Sequence, residues 1–324
     1  MKSLGKRRKV DGKRRPKIAV VGELNVDLIA VGLTNLPALG SEVLAKDFEL
    51  TLGSASAIFA CGLSQLGFPV TFISKVGADY FGQFCVKALR GKRVCTDYVI
   101  CDSGVKTGVT IAVSTTGDRA LVTYPGAIAQ LRYEDLPRAF LENHQHLHMT
   151  SYYLQEGLRK SFARIFSEAK QSGLTTSFDP NSDPARTWGK GIQEVFAHTD
   201  VLFLNETETM QLTRQRDLDE ALKRLGQTAP CVVVKLGPRG AVAIQSEELS
   251  SVPGFNVEAV DTTGAGDCFA AGFISGYVEG LTVQQCLELG NACGALSTLR
   301  PGGTASQPDQ SAIKKLLKVR VVHK

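Results

Sequence analysis

The residues best suited to chemistry lie in one run, residues 260–280, which reads VDTTGAGDCFAAGFISGYVEG. Three small residues, Gly264, Ala265 and Gly266, precede apolar residues that recur every four positions and predict an α-helix. The first N–H groups of a helix lack backbone partners and carry a partial positive charge, and small residues let an anion approach them closely. The run therefore predicts a site for the negative charge that develops during phosphoryl transfer.

Asp267 follows these small residues directly, and its position leaves three roles open. Its carboxylate could cap the helix N-terminus, interact with the helix dipole, or accept the proton of an attacking hydroxyl. Spacing alone favours capping, because aspartate is a preferred N-cap residue.

Two other phosphate-binding patterns are missing from the sequence. There is no GxxxxGK[ST], and the first predicted strand is followed by Gly22-Glu23-Leu24-Asn25 instead of GxGxxG. The sequence therefore argues against a P-loop NTPase and against a dinucleotide-binding fold.

Alternating strands and helices must position these residues. Short β-branched runs, such as 17–21 and 231–235, alternate with helical patterns, such as 56–66 and 218–225. This alternation predicts an α/β protein with a mainly parallel sheet and helices on both faces.

Two segments interrupt the alternation. Residues 107–124 contain two strand patterns around Thr116-Gly117-Asp118, which is typical of a hairpin, and residues 43–52 also resemble a strand. Together they predict a small antiparallel sheet beside the α/β body, either as a lid over a cleft or as an extension of the sheet edge.

The net charge of +5 is concentrated at the N-terminus. Residues 1–17 contain nine Lys or Arg and one Asp, a charge of +8, so the remaining chain carries about −3. A basic body that binds nucleic acid is not indicated. We expect residues 1–17 to form a disordered, solvated tail, with a nuclear-import or anion-binding segment as the alternative.

The eight cysteines form no CxxC pattern, and most lie in apolar stretches. They are predicted to be small buried hydrophobes in a reducing, cytoplasmic setting, without disulfides or a zinc site. Residues 50–74 carry no charge over a length that could span a bilayer, but their glycines, proline and hydroxyl side chains predict a buried helix and strand instead.

Three other groups of residues have competing interpretations. His144, His146 and His148 alternate, but without further ligands at metal spacing we predict a solvated edge or loop. Residues 179–188, DPNSDPARTW, follow a predicted strand and form either a structured turn or a substrate contact. Arg119 and Tyr124, on the predicted hairpin, are surface residues or face an acceptor.

The segment DTTGAGDCFAAGF resembles the ribokinase-like (PfkB) carbohydrate kinase family, and the resemblance continues in order over residues 18–318. The further matching motifs are Gly22-Glu23-Leu24-Asn25-Val26-Asp27, Val76-Gly77-Ala78-Asp79-Tyr80-Phe81-Gly82, Asn205-Glu206-Thr207-Glu208, Lys235-Leu236-Gly237-Pro238-Arg239-Gly240, Asn291-Ala292 and Pro301-Gly302-Gly303. The resemblance implies one kinase domain over residues 18–319, a three-layer α/β/α fold with a small β-sheet lid from about 28–52 and 98–126.

The same resemblance implies ATP-dependent phosphorylation of a sugar or sugar-acid hydroxyl, with Mg²⁺ and, in many members, a monovalent cation such as K⁺. It also implies a homodimer formed through the lid. The charge distribution and the polar residues of 50–74 argue separately against a nucleic-acid or membrane partner. A nucleoside kinase and a non-catalytic sugar sensor on the same scaffold are the alternatives. An intact Asp267 behind the small residues argues against the sensor, which has no need of a base.

The resemblance implies a role for each matching residue. Asp267 is the expected base, and Gly264, Ala265 and Gly266 form the expected anion hole. Asp27, Asn25, Gly53, Ser54 and Arg119 are expected at the acceptor. Asn205, Lys235, Gly237, Gly240, Asn291 and Thr262 are expected along the nucleotide, with Asn205 and Glu208 organising Mg²⁺. Asp261, Thr263, Ser297, Arg300, Gly302 and Ser306 are expected around the monovalent cation.

Two departures from the family pattern concern the acceptor. The family's GGxxxN motif reads Leu52-Gly53-Ser54-Ala55-Ser56-Ala57-Ile58 here, so an amide that contacts the sugar is lost. The segment 179–188 is similar to the DPNxR…W segment of keto-sugar-acid kinases, but Asp183 stands where a basic residue is common. The sequence therefore leaves the acceptor unassigned.

Overall fold

A computed structural model describes residues 15–115, 119–189 and 191–322, without the side chains of Ser114, Arg119 and residues 319–322. The predicted basic tail therefore lies largely outside the described residues. Residues 15–17, which we expected to be disordered, are held in place. The Arg15 guanidinium lies 4.7 Å from the centre of the Phe68 ring and forms an ion pair with Glu279.

A nine-stranded central sheet forms the body of the protein, in the order β13-β12-β11-β10-β9-β8-β1-β4-β5. Its strands are β1 (Ile18–Val21), β4 (Val70–Gly77), β5 (Cys95–Asp102), β8 (His146–Thr150), β9 (Thr175–Asp179), β10 (Val201–Asn205), β11 (Cys231–Lys235), β12 (Ala241–Gln245) and β13 (Glu248–Val252). All neighbours pair in parallel except β11–β12 and β12–β13. The mainly parallel sheet is thus confirmed, while β12 and β13 were not predicted.

The helices cover both faces of this sheet, as predicted. They are α1 (Ala55–Gln65), α2 (Tyr80–Gly91), α3 (Ala139–Asn143), α4 (Glu156–Arg159), α5 (Phe162–Gln171), α6 (Ile192–Phe196), α7 (Glu206–Thr213), α8 (Leu218–Gly226), α9 (Ala265–Glu279), α10 (Val283–Ser297) and α11 (Gln310–Val322). Alternate strand residues point to opposite faces. Val20 and Phe203 accordingly pack into one apolar core, and Val21 and Leu202 pack into the other.

Close packing fixes the position of α9, the helix that begins at the small residues. A Cβ on Gly62 would lie 3.0 Å from the Ala271 methyl, and one on Gly272 would lie 2.6 Å from the Leu289 carbonyl oxygen. Glycines at these points let α1 and α10 approach α9 closely.

Six of the eight cysteines, including Cys293 beside Gly272, are buried as predicted.

A second sheet of four strands projects from the body, in the order β3-β2-β6-β7. Its strands are β2 (Asn25–Leu33), β3 (Asp47–Leu52), β6 (Gly108–Thr115) and β7 (Arg119–Tyr124). We refer to it as the lid sheet. The prediction of an antiparallel sheet is wrong at its centre, because β2 and β6 pair in parallel. Residues 98–102, assigned to the lid from sequence, belong to β5 at the edge of the central sheet.

Asp79 connects the lid sheet to the body. Its carboxylate accepts a hydrogen bond from the Gly82 N–H at the start of α2, and others from the Thr107 N–H and hydroxyl just before β6. Burial alone would raise the pKa of Asp79, but these hydrogen bonds outweigh it and hold the pKa below its usual value. The carboxylate is therefore a charged anchor at the base of the lid sheet.

The predicted solvated position of the histidines is wrong. His146 and His148 are buried in β8, where the Ser177 hydroxyl lies 2.7 Å from a ring nitrogen of each. His144 is also buried, between the Phe140 carbonyl and the Thr71 hydroxyl. Burial lowers the pKa of His146 to about 3 and lowers that of His148 well below its usual value, so both rings are neutral.

In the ranges 15–115, 119–189 and 191–322, no helix has the length and apolarity needed to cross a membrane. The segment 50–74 instead contributes the end of β3, the buried α1 and the first part of β4. This agrees with the predicted helix and strand.

Candidate active site

The N-terminus of α9 lies at the carboxyl ends of the central strands, where the charges of Lys235 and Asp179 act on Asp267. Gly264 is its N-cap residue, with φ = 70°, and as a glycine it offers no side-chain capping hydrogen bond. The capping role for Asp267 is therefore wrong, and Asp267 instead lies in the first turn. A Cβ on Gly264 would lie 2.9 Å from two Ile58 side-chain carbons, so a glycine is required by both backbone conformation and space.

Asp267 is half-buried next to this helix end, and the loss of water around its carboxyl group raises its pKa to about 8. Lys235 opposes this rise, whereas the charges of Asp179, Glu23 and Glu208 add to it. A carboxyl group whose pKa lies near neutral pH is suited to accept and release a proton.

Lys235, at the end of β11, connects the small residues to the acidic groups. Its Nζ atom lies 2.5 Å from Asp179 Oδ2, at the end of β9, and 3.2 Å from where a Cβ on Gly266 would lie. Burial lowers the pKa of Lys235, but the charges of Asp179, Glu208 and Asp267 outweigh this effect and raise it. The site thus contains a permanent cation beside the predicted anion hole.

Asn205 and Glu208 form a reciprocal capping box at the start of α7. The Asn205 side chain accepts from the Glu208 N–H at 2.8 Å, and the Glu208 carboxylate accepts from the Asn205 N–H at 2.9 Å. Burial, together with the charge of Asp179, raises the pKa of Glu208. Both side chains thus have a structural role as well as the predicted one at Mg²⁺.

Glu23 was quoted from sequence only as part of a motif, without a role. Its carboxylate is 2% exposed and accepts hydrogen bonds from the Ser56 N–H and hydroxyl and from the hydroxyls of Thr150 and Ser151. The Ser151 hydroxyl also accepts from the Asn181 side-chain amide at 2.9 Å. An acidic residue directly after a buried strand was the signal that could have identified it.

The expected acceptor residues come together at the base of the lid sheet. The Asn25 amide donates to Asp27 Oδ1 at 3.1 Å and to the Thr110 hydroxyl at 3.3 Å. A Cβ on Gly53 would lie 2.1 Å from Asp27 Oδ1, so Gly53 makes room for this carboxylate. Thr110, and Thr123 beside it at 3.2 Å, were missed by sequence reasoning.

Ser54 and Arg119 are the other two residues that were expected at the acceptor. The Ser54 hydroxyl caps α1 by accepting from the Ala57 N–H, and it donates to the Glu23 carbonyl at 2.5 Å. Its bonds are therefore internal to the fold. Arg119 is the first residue of β7, and its side chain lies outside the described part of the chain.

The expected nucleotide residues line the neighbouring loops. Gly237 and Gly240 have φ = 60° and 101°, and a Cβ on Gly240 would lie 2.1 Å from the Val252 carbonyl oxygen. The Asn291 amide donates to that same carbonyl at 3.0 Å. Asn291 and Gly240 thus both pack against the backbone at the end of β13. Thr262 is exposed in the segment before α9.

Some of the residues predicted to bind a monovalent cation lie close together in the structure. The Asp261 carboxylate accepts from the N–H groups of Thr263 and Gly302, each at 2.8 Å. The Ser297 hydroxyl donates within its own helix to the Gly294 carbonyl. Arg300 is exposed and Ser306 is half-buried in the segment after α10.

Comparison with known proteins assigns this site to a family. The chain matches the pfkB family carbohydrate kinase profile over residues 15–310. The chain belongs to the pfkB family of carbohydrate kinases. Its enzymatic class is therefore that of a phosphotransferase that acts on an alcohol group of a carbohydrate.

Similarity to individual pfkB proteins extends over most of the chain. A 2-dehydro-3-deoxygluconokinase of Bacillus subtilis is 31% identical over 85% of this chain and 90% of its own length. The Arabidopsis thaliana ribokinase complexed with ribose and ATP superposes with a TM-score of 0.83 at 27% identity, covering 94% of this chain and 99% of that one. A ribokinase II structure from E. coli in complex with ATP and Mg²⁺ superposes with a TM-score of 0.85 at 25% identity, covering 94% and 100%.

These relatives confirm the predicted family and the ribokinase-like fold, with its three layers and small additional sheet. Their names include a sugar and a sugar acid, so family membership alone leaves the acceptor of this pfkB protein open.

Proposed function

We propose that this protein transfers the γ-phosphoryl group of ATP to a hydroxyl of a sugar or sugar acid, with Asp267 as the general base. The observation that carries the proposal is the position of Asp267 in the first turn of α9, between an uncapped helix N-terminus and Lys235. ATP as donor is supported by the two similar structures that contain it.

In this mechanism Asp267 takes the proton of the acceptor hydroxyl as that oxygen forms a bond to the γ-phosphorus. The bond between the γ-phosphorus and its bridging oxygen breaks, and ADP leaves. The N–H groups of Gly264 and Gly266, together with Lys235, stabilise the negative charge on the transferring oxygens, whereas the Ala265 N–H donates to the Thr262 carbonyl at 3.2 Å. Asp27 and Asn25 hold acceptor hydroxyls, and the lid sheet excludes water as a competing acceptor.

The acidic groups around Lys235 would suit a Mg²⁺ ion bound largely through water, because among the described residues no three such side chains cluster as direct metal ligands. Glu208, Asp179 and Asp267 face a single lysine. Burial, and after it the charge of Asp179, raises the pKa of Glu208, and a divalent cation would favour its ionised form. Asn205 and Glu208 would hold the ion, largely through water, and the ion would neutralise charge on the ATP phosphates. A monovalent cation such as K⁺ would bind beside Asp261, whose carboxylate accepts the N–H groups of Thr263 and Gly302.

The proposal is tested by measuring ADP release with Mg²⁺, ATP and a panel of pentoses, hexoses, sugar acids and nucleosides. We expect release that depends on both Mg²⁺ and an acceptor. Phosphorylation of adenosine but of no sugar would replace the proposal with a nucleoside kinase. Thermal stabilisation by a sugar without turnover would indicate a sensor instead.

The rate should depend on pH through Asp267. Only the deprotonated base is active, so kcat/KM is expected to rise about tenfold per pH unit below 8 and to level off above it. The groups that set this midpoint are Lys235, which lowers it, and Asp179, Glu23 and Glu208, which raise it. A profile of kcat/KM from pH 5.5 to about 9.5 measures the midpoint, and a rate independent of pH over this range would contradict the assignment.

We further propose that two copies of the chain associate through the lid sheet. The face of this sheet opposite Asp27 is apolar and exposed, with Phe48 61%, Ile111 44%, Val122 65% and Tyr124 52% accessible. Phe48 is on β3 and the other three are on β6 and β7, and Leu28 and Ala30 of β2 lie between them on the same face. A contiguous apolar surface of this kind is typical of a protein–protein contact.

A charged residue introduced on this apolar surface should prevent the two copies of the chain from associating. Val122→Glu is expected to convert a dimer into a monomer, because a buried unpaired carboxylate is strongly unfavourable. Leu249→Glu places the same charge on an equally exposed apolar residue of β13 and should leave the dimer intact. Light scattering coupled to size-exclusion chromatography distinguishes the two, and a wild-type monomer would exclude this association.

A further inference from the structure

We infer that Arg239 is a nucleotide-binding residue, which exchanges the Glu206 carboxylate for those phosphates of ATP that are not transferred. The inference rests on the proposed kinase function and adds a residue to its nucleotide site. The sequence motif that placed Gly237 and Gly240 along the nucleotide contains Arg239 between them but gave it no role.

The turn that carries Arg239 follows the end of β11 directly. β10 and β11 are parallel neighbours, and Asn205 is paired with Lys235 at their carboxyl ends. The Lys235 Nζ atom lies 3.2 Å from where a Cβ on Gly266 would lie, so the side chain at the end of β11 reaches the first turn of α9. The turn after β11 is therefore next to the position proposed for the transferring phosphoryl group.

Backbone hydrogen bonds hold this turn in a fixed shape. The Leu236 N–H donates to the Gly240 carbonyl at 2.8 Å, and the Gly240 N–H donates to the Gly237 carbonyl at 3.0 Å. Among the described atoms, none lies within 4 Å of the prospective Cβ of Gly237. A ligand can therefore approach the backbone on this side of the turn without displacing a side chain.

The guanidinium group of Arg239 forms an ion pair with Glu206, the first residue of α7. Glu206 follows Asn205 directly and precedes Glu208 by two positions, and these two residues are the ones proposed to organise Mg²⁺. The ion pair thus connects the segments that follow β10 and β11. It places the Arg239 side chain beside the proposed Mg²⁺ position, where the phosphates bound by that ion would lie.

This ion pair is exposed and can be exchanged for a stronger one. The side chains of Arg239 and Glu206 are 63% and 39% accessible, and exposed ion pairs contribute little to stability. A guanidinium group can form two parallel hydrogen bonds to a phosphate, and such charge-assisted pairs are the stronger kind. A phosphate group of the nucleotide therefore competes effectively with Glu206 for Arg239.

The charges of the site give Arg239 a separate task from that of Lys235. The charge of Lys235 already acts on three carboxyl groups, those of Asp179, Glu208 and Asp267. ATP adds several negative charges beside these groups, and a bound Mg²⁺ would offset part of them. Arg239, at the exposed edge of the site, offsets the charge on the phosphates that leave with ADP.

The test measures binding of ADP, which keeps the phosphates in question and permits no turnover. Displacement of a fluorescent ADP analogue from the full-length chain, with Mg²⁺ present, gives the dissociation constants of ADP and of adenosine. Arg239→Ala is expected to raise the constant for ADP about tenfold and to leave that for adenosine unchanged within about twofold. An unchanged constant for ADP, or an equal rise for both ligands, would overturn the inference.

Variants of the ion pair test the exchange itself. Glu206→Gln removes the competing carboxylate and should lower the constant for ADP about twofold to fivefold, but it should have no effect when combined with Arg239→Ala. Arg239→Lys keeps the charge without the planar fork and should bind ADP with an affinity between those of wild type and Arg239→Ala. Weaker ADP binding by Glu206→Gln would contradict the competition.

Arg164→Ala is the matched control, because the Arg164 side chain is 60% accessible and pairs with Glu168 on α5. It should leave the constant for ADP unchanged, and a loss equal to that of Arg239→Ala would reduce the effect to a general change in surface charge. Raising the ionic strength from about 50 to about 500 mM should weaken ADP binding more in wild type than in Arg239→Ala. A wild-type chain that binds no ADP would reject the proposed kinase function itself, whereas ADP binding that is insensitive to Arg239 rejects only this inference.

Discussion

Replacing Asp267 with asparagine is expected to lower kcat by about 10³- to 10⁴-fold and, at the same time, to raise the melting temperature by a few °C. The first effect follows because asparagine keeps the shape of the side chain but cannot accept the proton of the acceptor hydroxyl. The second follows from the pKa of Asp267, which burial raises to about 8.

The sign of the stability effect depends on this shift. A carboxyl group with a raised pKa binds its proton more tightly in the folded state than in the unfolded chain, where its pKa is about 3.9. Between about pH 4 and 8, Asp267 ionises in the unfolded chain while the folded state still holds its proton, so the free energy of unfolding falls as the pH rises. Asparagine does not ionise, and the variant therefore does not lose this stability. The difference in melting temperature between variant and wild type should grow as pH rises from 5 to 8.

Asp309→Asn is the matched control. Asp309 also lies at a helix start, but its carboxylate accepts the Ala312 N–H at 2.8 Å and is a true cap of α11. This change should leave kcat unaltered and leave stability equal or slightly lower. Calorimetry measures the melting temperatures of both variants, and steady-state kinetics measures their kcat. An Asp267→Asn enzyme with more than about a tenth of wild-type kcat would eliminate Asp267 as the base.

Gly264→Ala is expected to lower kcat by about 10²- to 10³-fold, as expected for loss of a donor that stabilises developing charge. Gly264 has φ = 70°, and the new methyl group would lie 2.9 Å from Ile58 and 3.1 Å from the Gly303 Cα. The helix end must shift to relieve these contacts, which moves its N–H groups away from the transferring phosphoryl group. The same strain should reduce the free energy of unfolding by about 1–3 kcal/mol.

Gly280→Ala is the control that distinguishes the loss of kcat from the loss of stability. Gly280 ends the same helix with φ = 83°, and no atom lies within 4 Å of its prospective Cβ. Alanine there introduces a similar backbone strain, about 1 kcal/mol, without a steric clash and far from the acceptor. We expect reduced stability with unchanged kcat. Equal loss of kcat in both variants would show that Gly264 acts only through overall stability.

Sequence alone located the helix end and Asp267 because both lie in one continuous segment, where spacing along the chain determines spacing in space. It did not predict the group around Lys235. Asp179, Glu208 and Glu23 follow three other strands, and only the order of the parallel sheet brings them together. The role of Asp267 was misjudged from spacing because the N-cap position falls on Gly264, three residues earlier.

The histidines and the lid sheet show two other limits. Alternating polar residues usually predict an exposed strand face, but β8 lies between β1 and β9, and serine and threonine side chains satisfy the buried rings. The parallel pairing of β2 with β6 joins segments about 80 residues apart, a distance at which local patterns carry no information about direction.

In the proposed mechanism, the active centre is divided between two structural units, with Asp27 and Thr110 on the lid sheet and Asp267 on the body. An acceptor bound by the lid sheet would then reach Asp267 only when the two units come together. Affinity for the acceptor and the equilibrium between open and closed forms are therefore thermodynamically linked, and a substitution at the Asp79 anchor would alter both without touching either reactant.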